Sequence, residues 1–212
     1  MEKFKLQKID ESLQREHSCL ELNDQCYFFG EYTGRKGYSH SEMNQLIFNF
    51  KKPMDKKGKV DWHYKDKEIG KIAELLMSIK GWPKLKDYTW VPMPPSKIKS
   101  DPAYDDRLSR VLKKIKETEN KLDVRELLIA KASREPAHDP NSQKRPKTAD
   151  HLANFTLDES LKMPLPRAIA IFDDVITTGA SFKAAQSILQ RIYPGIPIIG
   201  IFIARNIVPE DN

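Results

Sequence analysis

Apolar positions along the chain recur with two periods, and each period predicts a kind of element. Met43, Leu46, Ile47 and Phe50 fall at i, i+3, i+4 and i+7, one face of a helix, and Ser39 with Glu42 has the spacing of a capping box. Ile69, Ile72, Ala73 and Leu76 repeat that spacing, with Gly81 and Pro83 as the stop. A third helix is expected after Asp101-Pro102, with Tyr104, Leu108, Val111, Leu112 and Ile115 along one side, and a fourth buries Ala185, Ile188, Leu189 and Ile192. Short apolar runs at residues 26–29, 88–93, 127–130, 168–172 and 198–204 read as strands. Residues 133–150 have no apolar period and are rich in proline and charge, which suits a lid or binding loop. From residue 88 onward strands and helices alternate. That order predicts an α/β fold, a mostly parallel central sheet flanked by helices. Residues 1–38 read as an N-terminal segment with a hood-like position, and residues 39–212 as the α/β domain.

Composition narrows the function classes. The 212 residues are 39% hydrophobic and 31% charged, enough for one well-buried domain. No apolar run approaches a membrane span, and the start carries no apolar core of a secretory signal. Two cysteines, Cys19 and Cys26, make neither a disulfide framework nor a four-ligand zinc site. A cytoplasmic protein with no membrane partner is expected. The net charge of +6 is spread along the chain, with local excesses at 51–59 and 97–116. Those stretches leave a nucleic-acid partner open without indicating one, because a phosphate-rich small ligand suits them equally.

The chemistry concentrates in residues 168–182, AIAIFDDVITTGASF. A buried strand runs into two acids, then a hydrophobic pair, then Thr-Thr-Gly-Ala-Ser and a helix. In open α/β sheets ligands bind at the carboxyl ends of strands, where this turn lies. Small hydroxylated residues and a glycine let backbone N–H groups approach a phosphate, and the helix start adds its partial positive charge. Asp173 and Asp174 would repel that phosphate, so they suit another part of the ligand, such as the vicinal hydroxyls of a sugar. No Gly-Lys-Ser/Thr loop and no G-x-G-x-x-G accompany the motif.

Ile-Phe-Asp-Asp-Val-Ile-Thr-Thr-Gly-Ala-Ser resembles the phosphoribosyl pyrophosphate (PRPP) signature of type I phosphoribosyltransferases, and the chain is most similar to their ComF-like branch over about residues 43–206. The resemblance implies a Rossmann-like type I phosphoribosyltransferase fold. It implies that Asp173 and Asp174, the catalytic acids, bind the ribose hydroxyls, and that Ile176, Thr177, Thr178, Gly179, Ala180 and Ser181 cradle the 5′-phosphate. Trp90-Val91-Pro92-Met93-Pro94 resembles the strand end that opens the pyrophosphate loop, which places Ser96 and Lys97 at the pyrophosphate. Arg107 stands where the branch has an arginine, although Leu108-Ser109-Arg110 replaces the Gly-Phe-Asn-Gln that follows it there. Gln143 and Asn154 keep the branch's separation, His151 replaces an expected arginine, and the N-terminal zinc module is absent. Arg134, His138, Lys144 and Arg145 are candidates for closing over the pyrophosphate.

The expected activity is transfer of phosphoribosyl from PRPP to an unidentified nitrogen acceptor with release of pyrophosphate. Mg²⁺ is the implied cofactor, held mainly through PRPP, with Asp173 as the one candidate ligand from the chain. Two other readings use the same sequence: a non-catalytic PRPP-sensing regulator, and an accessory or effector protein of a DNA-uptake or defence system. A homodimer or a partner protein is compatible with all three.

Overall fold

The longest apolar runs become the middle of one sheet. A computed structural model of the chain describes residues 4–134 and 147–207. In chain order the elements are β1 (Gln7–Lys8), α1 (Glu11–Gln14), β2 (Gln25–Thr33), α2 (Glu42–Phe50), α3 (His63–Met77), α4 (Trp82–Leu85), β3 (Thr89–Pro92), α5 (Arg107–Lys116), β4 (Asp123–Val124), β5 (Leu128–Ala130), α6 (Thr148–Asn154), β6 (Phe155–Leu157), β7 (Ile169–Ile176), α7 (Ala180–Ile192) and β8 (Ile198–Ile207). Six strands form the central sheet in the order β1-β2-β8-β7-β3-β4, and only the β1–β2 pair is antiparallel. The chain is therefore an α/β protein with a mostly parallel sheet flanked by helices.

Strand alternation distributes the core between two helical layers. In β7, Ile169, Ala170, Ile171 and Phe172 are all fully buried, as expected of a strand covered on both faces. Phe172 meets Trp90 of β3 edge-on, with ring centroids 6.2 Å apart, and Trp90 in turn meets Trp82. Asp173 is the register partner of Phe202, which packs against Phe182 of α7. Phe172 and Asp174 thus face one layer and Asp173 the other. The layer on the Asp174 side holds α2, α3 and α5, which pack on one another, whereas α7 packs against α6.

Several expectations need correction. The cap of α2 is Ser41, not Ser39: its side chain accepts from the Asn44 N–H. Helix α5 opens at Arg107, because residues 101–106 make a turn in which the Asp101 carboxylate accepts from the Ala103 N–H and the Ser133 hydroxyl. Helix α3 stops at Met77, and Pro83 instead sits in the first turn of α4. The 127–130 run does not join the central sheet. Leu128–Ala130 pairs antiparallel with Phe155–Leu157 in a separate ribbon, and Asp123–Val124 takes the edge beside β3. Part of the 133–150 stretch is ordered as the start of α6, while Gln143, His138, Lys144 and Arg145 lie outside the described residues. Within residues 1–38, β2 is an inner strand of the sheet between β1 and β8. Both cysteines are free thiols, and burial pushes that of Cys26 up. Among the described residues no helix is long and apolar enough to cross a membrane.

Candidate functional site

The chain leaves β3 through α5 toward β4 and leaves β7 through α7 toward β8, in opposite directions along the sheet. A crevice opens where neighbouring connections diverge in this way, outside the strands' carboxyl ends. Here it is an open cleft between the Pro94-Pro95-Ser96 turn after β3 and the end of β7. Asp105 to Ser109 at the start of α5, Lys51 at the end of α2, and Arg134, His151 and Phe155 complete its walls.

The two acids have opposite environments. Asp174 points toward α2 and α5, where it accepts from Lys51 Nζ at 3.0 Å and from Arg107 Nε and NH2 at 3.1 and 2.5 Å. Those cations outweigh the desolvation of burial and hold its carboxyl well below the usual range. Arg107 is fixed in turn by Asp105 at 2.8 Å, and Asp105 also accepts from the fully buried Lys65 at 2.6 Å. Burial lowers the Lys65 ammonium to about 8. Asp173 forms no ion pair among the described residues; its Oδ1 accepts from the Asp174 N–H at 2.8 Å. Burial first, and the neighbouring Asp174 charge second, push its carboxyl up to about 7. One carboxyl is thus held low by its cations and the other raised by burial and by its neighbour's charge.

The turn after β7 forms an anion cradle. Gly179 takes φ +84°, a conformation open to glycine, and caps the 13-residue helix α7. The first turn of that helix has amides without intrahelical acceptors. Thr177 and Ser181 line the cleft beside them. Behind Ser181, His151 Nδ1 accepts from the two terminal nitrogens of Arg134 at 3.2 Å, so Nε2 carries the proton and donates to Ser181 Oγ at 3.3 Å. Burial, then the Arg134 charge, lower that imidazole to about 4 and keep it neutral. The Arg134 N–H donates to the Ser96 carbonyl at 2.7 Å, which ties this wall to the turn after β3. On the turn's other side lie residues 10–24. The Cys19 N–H donates to the Thr178 carbonyl at 2.8 Å, and the His17 ring donates to the Thr177 carbonyl.

Of the residues singled out from sequence, Asp173, Asp174, Thr177, Ser181, Ser96 and Arg107 line this one cleft. Ile176 and Ala180 are buried behind it, and Thr178 and Gly179 lie in the turn without lining it. Lys97 lines a neighbouring shallow pocket with Ile98, Lys99, Tyr104 and Glu126. Three contributors were not singled out as site residues from the sequence. Lys51 opens the basic 51–59 stretch, Asp105 falls in the helix expected after Asp101-Pro102, and His17 belongs to the N-terminal segment; only the packing of distant segments gives them partners. Among the described residues no group of three or more His, Cys, Asp or Glu is arranged to hold a metal ion. A cation in the cleft would draw at most Asp173 from the acid pair, since Asp174 is held by Lys51 and Arg107. No family model matches the chain, and no curated protein matches it.

Proposed function

We propose that the chain binds PRPP in this cleft and transfers its phosphoribosyl group to a nitrogen acceptor, as a type I phosphoribosyltransferase. One observation carries the reading: the acid pair, Thr177 and Ser181 from the turn before α7 and its first helical turn, and the Pro94-Pro95-Ser96 turn share one cleft at the divergence of β3 and β7. The 5′-phosphate suits the amides at the start of α7 and the hydroxyls of Thr177 and Ser181. The ribose hydroxyls suit Asp173, whose carboxylate is stabilised when it gains their hydrogen bonds and a positive charge nearby. The diphosphate extends toward Ser96 and the Arg134 wall. Mg²⁺ would be held chiefly by ligand oxygens, with Asp173 as the chain's contribution, and would supply neutralisation of the leaving group.

In the reaction the C1–O bond to diphosphate breaks and its electron pair leaves with pyrophosphate. Positive charge develops on the ribose ring, as in glycoside cleavage. Ionised Asp173 stabilises that charge, and the acceptor nitrogen forms the new bond to C1 and loses its proton to solvent. Asp174 contributes through position, fixing Arg107 and Lys51 at the cleft wall.

A PRPP-sensing protein without transfer is the second reading. It is favoured by the ion pairs that already occupy Asp174. ³¹P NMR of PRPP with Mg²⁺ and a panel of nucleobases separates the two. Release of pyrophosphate that requires the protein and one base is expected; line broadening without release selects the sensor. Asp173→Asn combined with Asp174→Asn should abolish either effect, and unchanged spectra with the double variant would remove the cleft from the account.

A further inference from the structure

The N-terminal strap, residues 10–24, contributes no side chain to the cleft lining, and it meets the 177–179 turn through the turn's carbonyls and through Leu20. The His17 ring donates to the Thr177 carbonyl and the Cys19 N–H to the Thr178 carbonyl at 2.8 Å. A trans peptide is planar, and its C=O and N–H point in opposite directions. With both carbonyls held by the strap, the N–H groups of Thr178 and Gly179 are turned away from it, and the residues on either side of them, Thr177 and Ser181, line the cleft. Among the described residues neither amide donates a hydrogen bond. Leu20 completes the fit: a Cβ on Gly179 would lie 2.7 Å from Leu20 Cδ2, so only glycine lets the strap seat this closely.

Ionic contacts hold the strap in place at several points. Glu16 accepts from Arg205 at 2.8 Å, Lys183 from α7 reaches Glu21 at 3.1 Å and Asp24 at 3.0 Å, and Gln186 donates to Asp24 at 2.9 Å. His17 is fully buried, so its ring is set by its surroundings and not by solvent. We infer that the strap is the positioning element of the anion cradle, with His17 and the Cys19 amide aiming two consecutive backbone donors at a phosphate ester. The inference rests on the PRPP reading of the cleft and adds to it a dependence of phosphate affinity on a segment that never touches the ligand.

The test is a ¹H–¹⁵N titration of the full chain with ribose 5-phosphate, and separately with pyrophosphate. Downfield shifts of the Thr178 and Gly179 amide protons with ribose 5-phosphate are expected. His17→Leu should weaken that binding about tenfold, roughly one charge-assisted hydrogen bond lost. His17→Asn keeps a donor at the position of Nδ1 and should stay within about twofold. Pyrophosphate affinity should not change in either variant. Shifts at Asp173 and Ser181 with static Thr178 and Gly179 amides would overturn the inference and leave the cleft reading standing. The wild-type titration decides this even where His17→Leu does not fold. No shift anywhere in the cleft would overturn both.

Discussion

Asp173→Asn should make the protein more stable at neutral pH while abolishing its ligand binding. The Asp173 carboxyl is raised from 3.8 to about 7 by burial and by the neighbouring charge of Asp174. In the unfolded chain it ionises near pH 4, so between pH 4 and 7 the folded state holds a proton that the unfolded state has lost. Stability therefore falls as pH rises through that window, and the penalty is complete above pH 7. Three units at about 1.4 kcal/mol each set a ceiling of about 4 kcal/mol. Solvent in the cleft partly reaches the side chain and screens it, so about 2 kcal/mol is the expected gain. Asparagine keeps the oxygen that accepts from the Asp174 N–H, so the strand end retains its geometry. Urea unfolding of both proteins at pH 8 and pH 3 measures the effect. The variant should gain about 2 kcal/mol at pH 8, or about 4–8 °C in Tm, and almost nothing at pH 3, where the Asp173 carboxyl is protonated in the folded and the unfolded chain alike. Equal differences at the two pH values, or a loss at pH 8, would refute the assignment of the raised carboxyl to Asp173. A gain in stability accompanied by loss of PRPP binding is the signature of a residue kept for function at a cost in stability.

Arg107→Met should cost about 3 kcal/mol, because it leaves Asp174 buried with Lys51 alone. Asp174 holds a lowered carboxyl, so its stabilisation is present above about pH 4 and is lost as pH falls below that. The acid limb of the Arg107→Met stability curve should be shallower than that of the parent, and an identical limb would separate Arg107 from Asp174. Gly179→Ala should cost about 2 kcal/mol through the φ of +84° and the contact with Leu20. Adding Leu20→Ala should recover about 1 kcal/mol of coupling in a double-mutant cycle, whereas strict additivity would mean that the strap does not press on the turn.

The amphipathic spacing of Met43, Leu46, Ile47 and Phe50 and of Ile69, Ile72, Ala73 and Leu76 is a local property, and both helices form where it predicts them. The apolar run at 168–172 and the alternation after it likewise determine a parallel α/β sheet, because such strands are stable only when covered on both faces. Motif order placed the acids and the Thr-Thr-Gly turn at a strand end for the same reason. Pairing partners were not legible: the 127–130 run is as apolar as a sheet strand, yet it joins Phe155–Leu157 because sheet membership depends on which distant segment offers a free edge. Helix starts shifted where side chains captured backbone amides, as Asp101 does before α5. In the cleft, sequence determined which residue types stand at the strand end, and only the tertiary structure made their charges unequal. Alternation sends Asp174 to Lys51 and Arg107 and leaves Asp173 without a cation of its own among the described residues, and long-range charge pairing of that kind has no counterpart in local spacing. The same holds for His17, which becomes part of the cradle only because the sheet brings β2 beside β8 and the strap across the 177–179 turn.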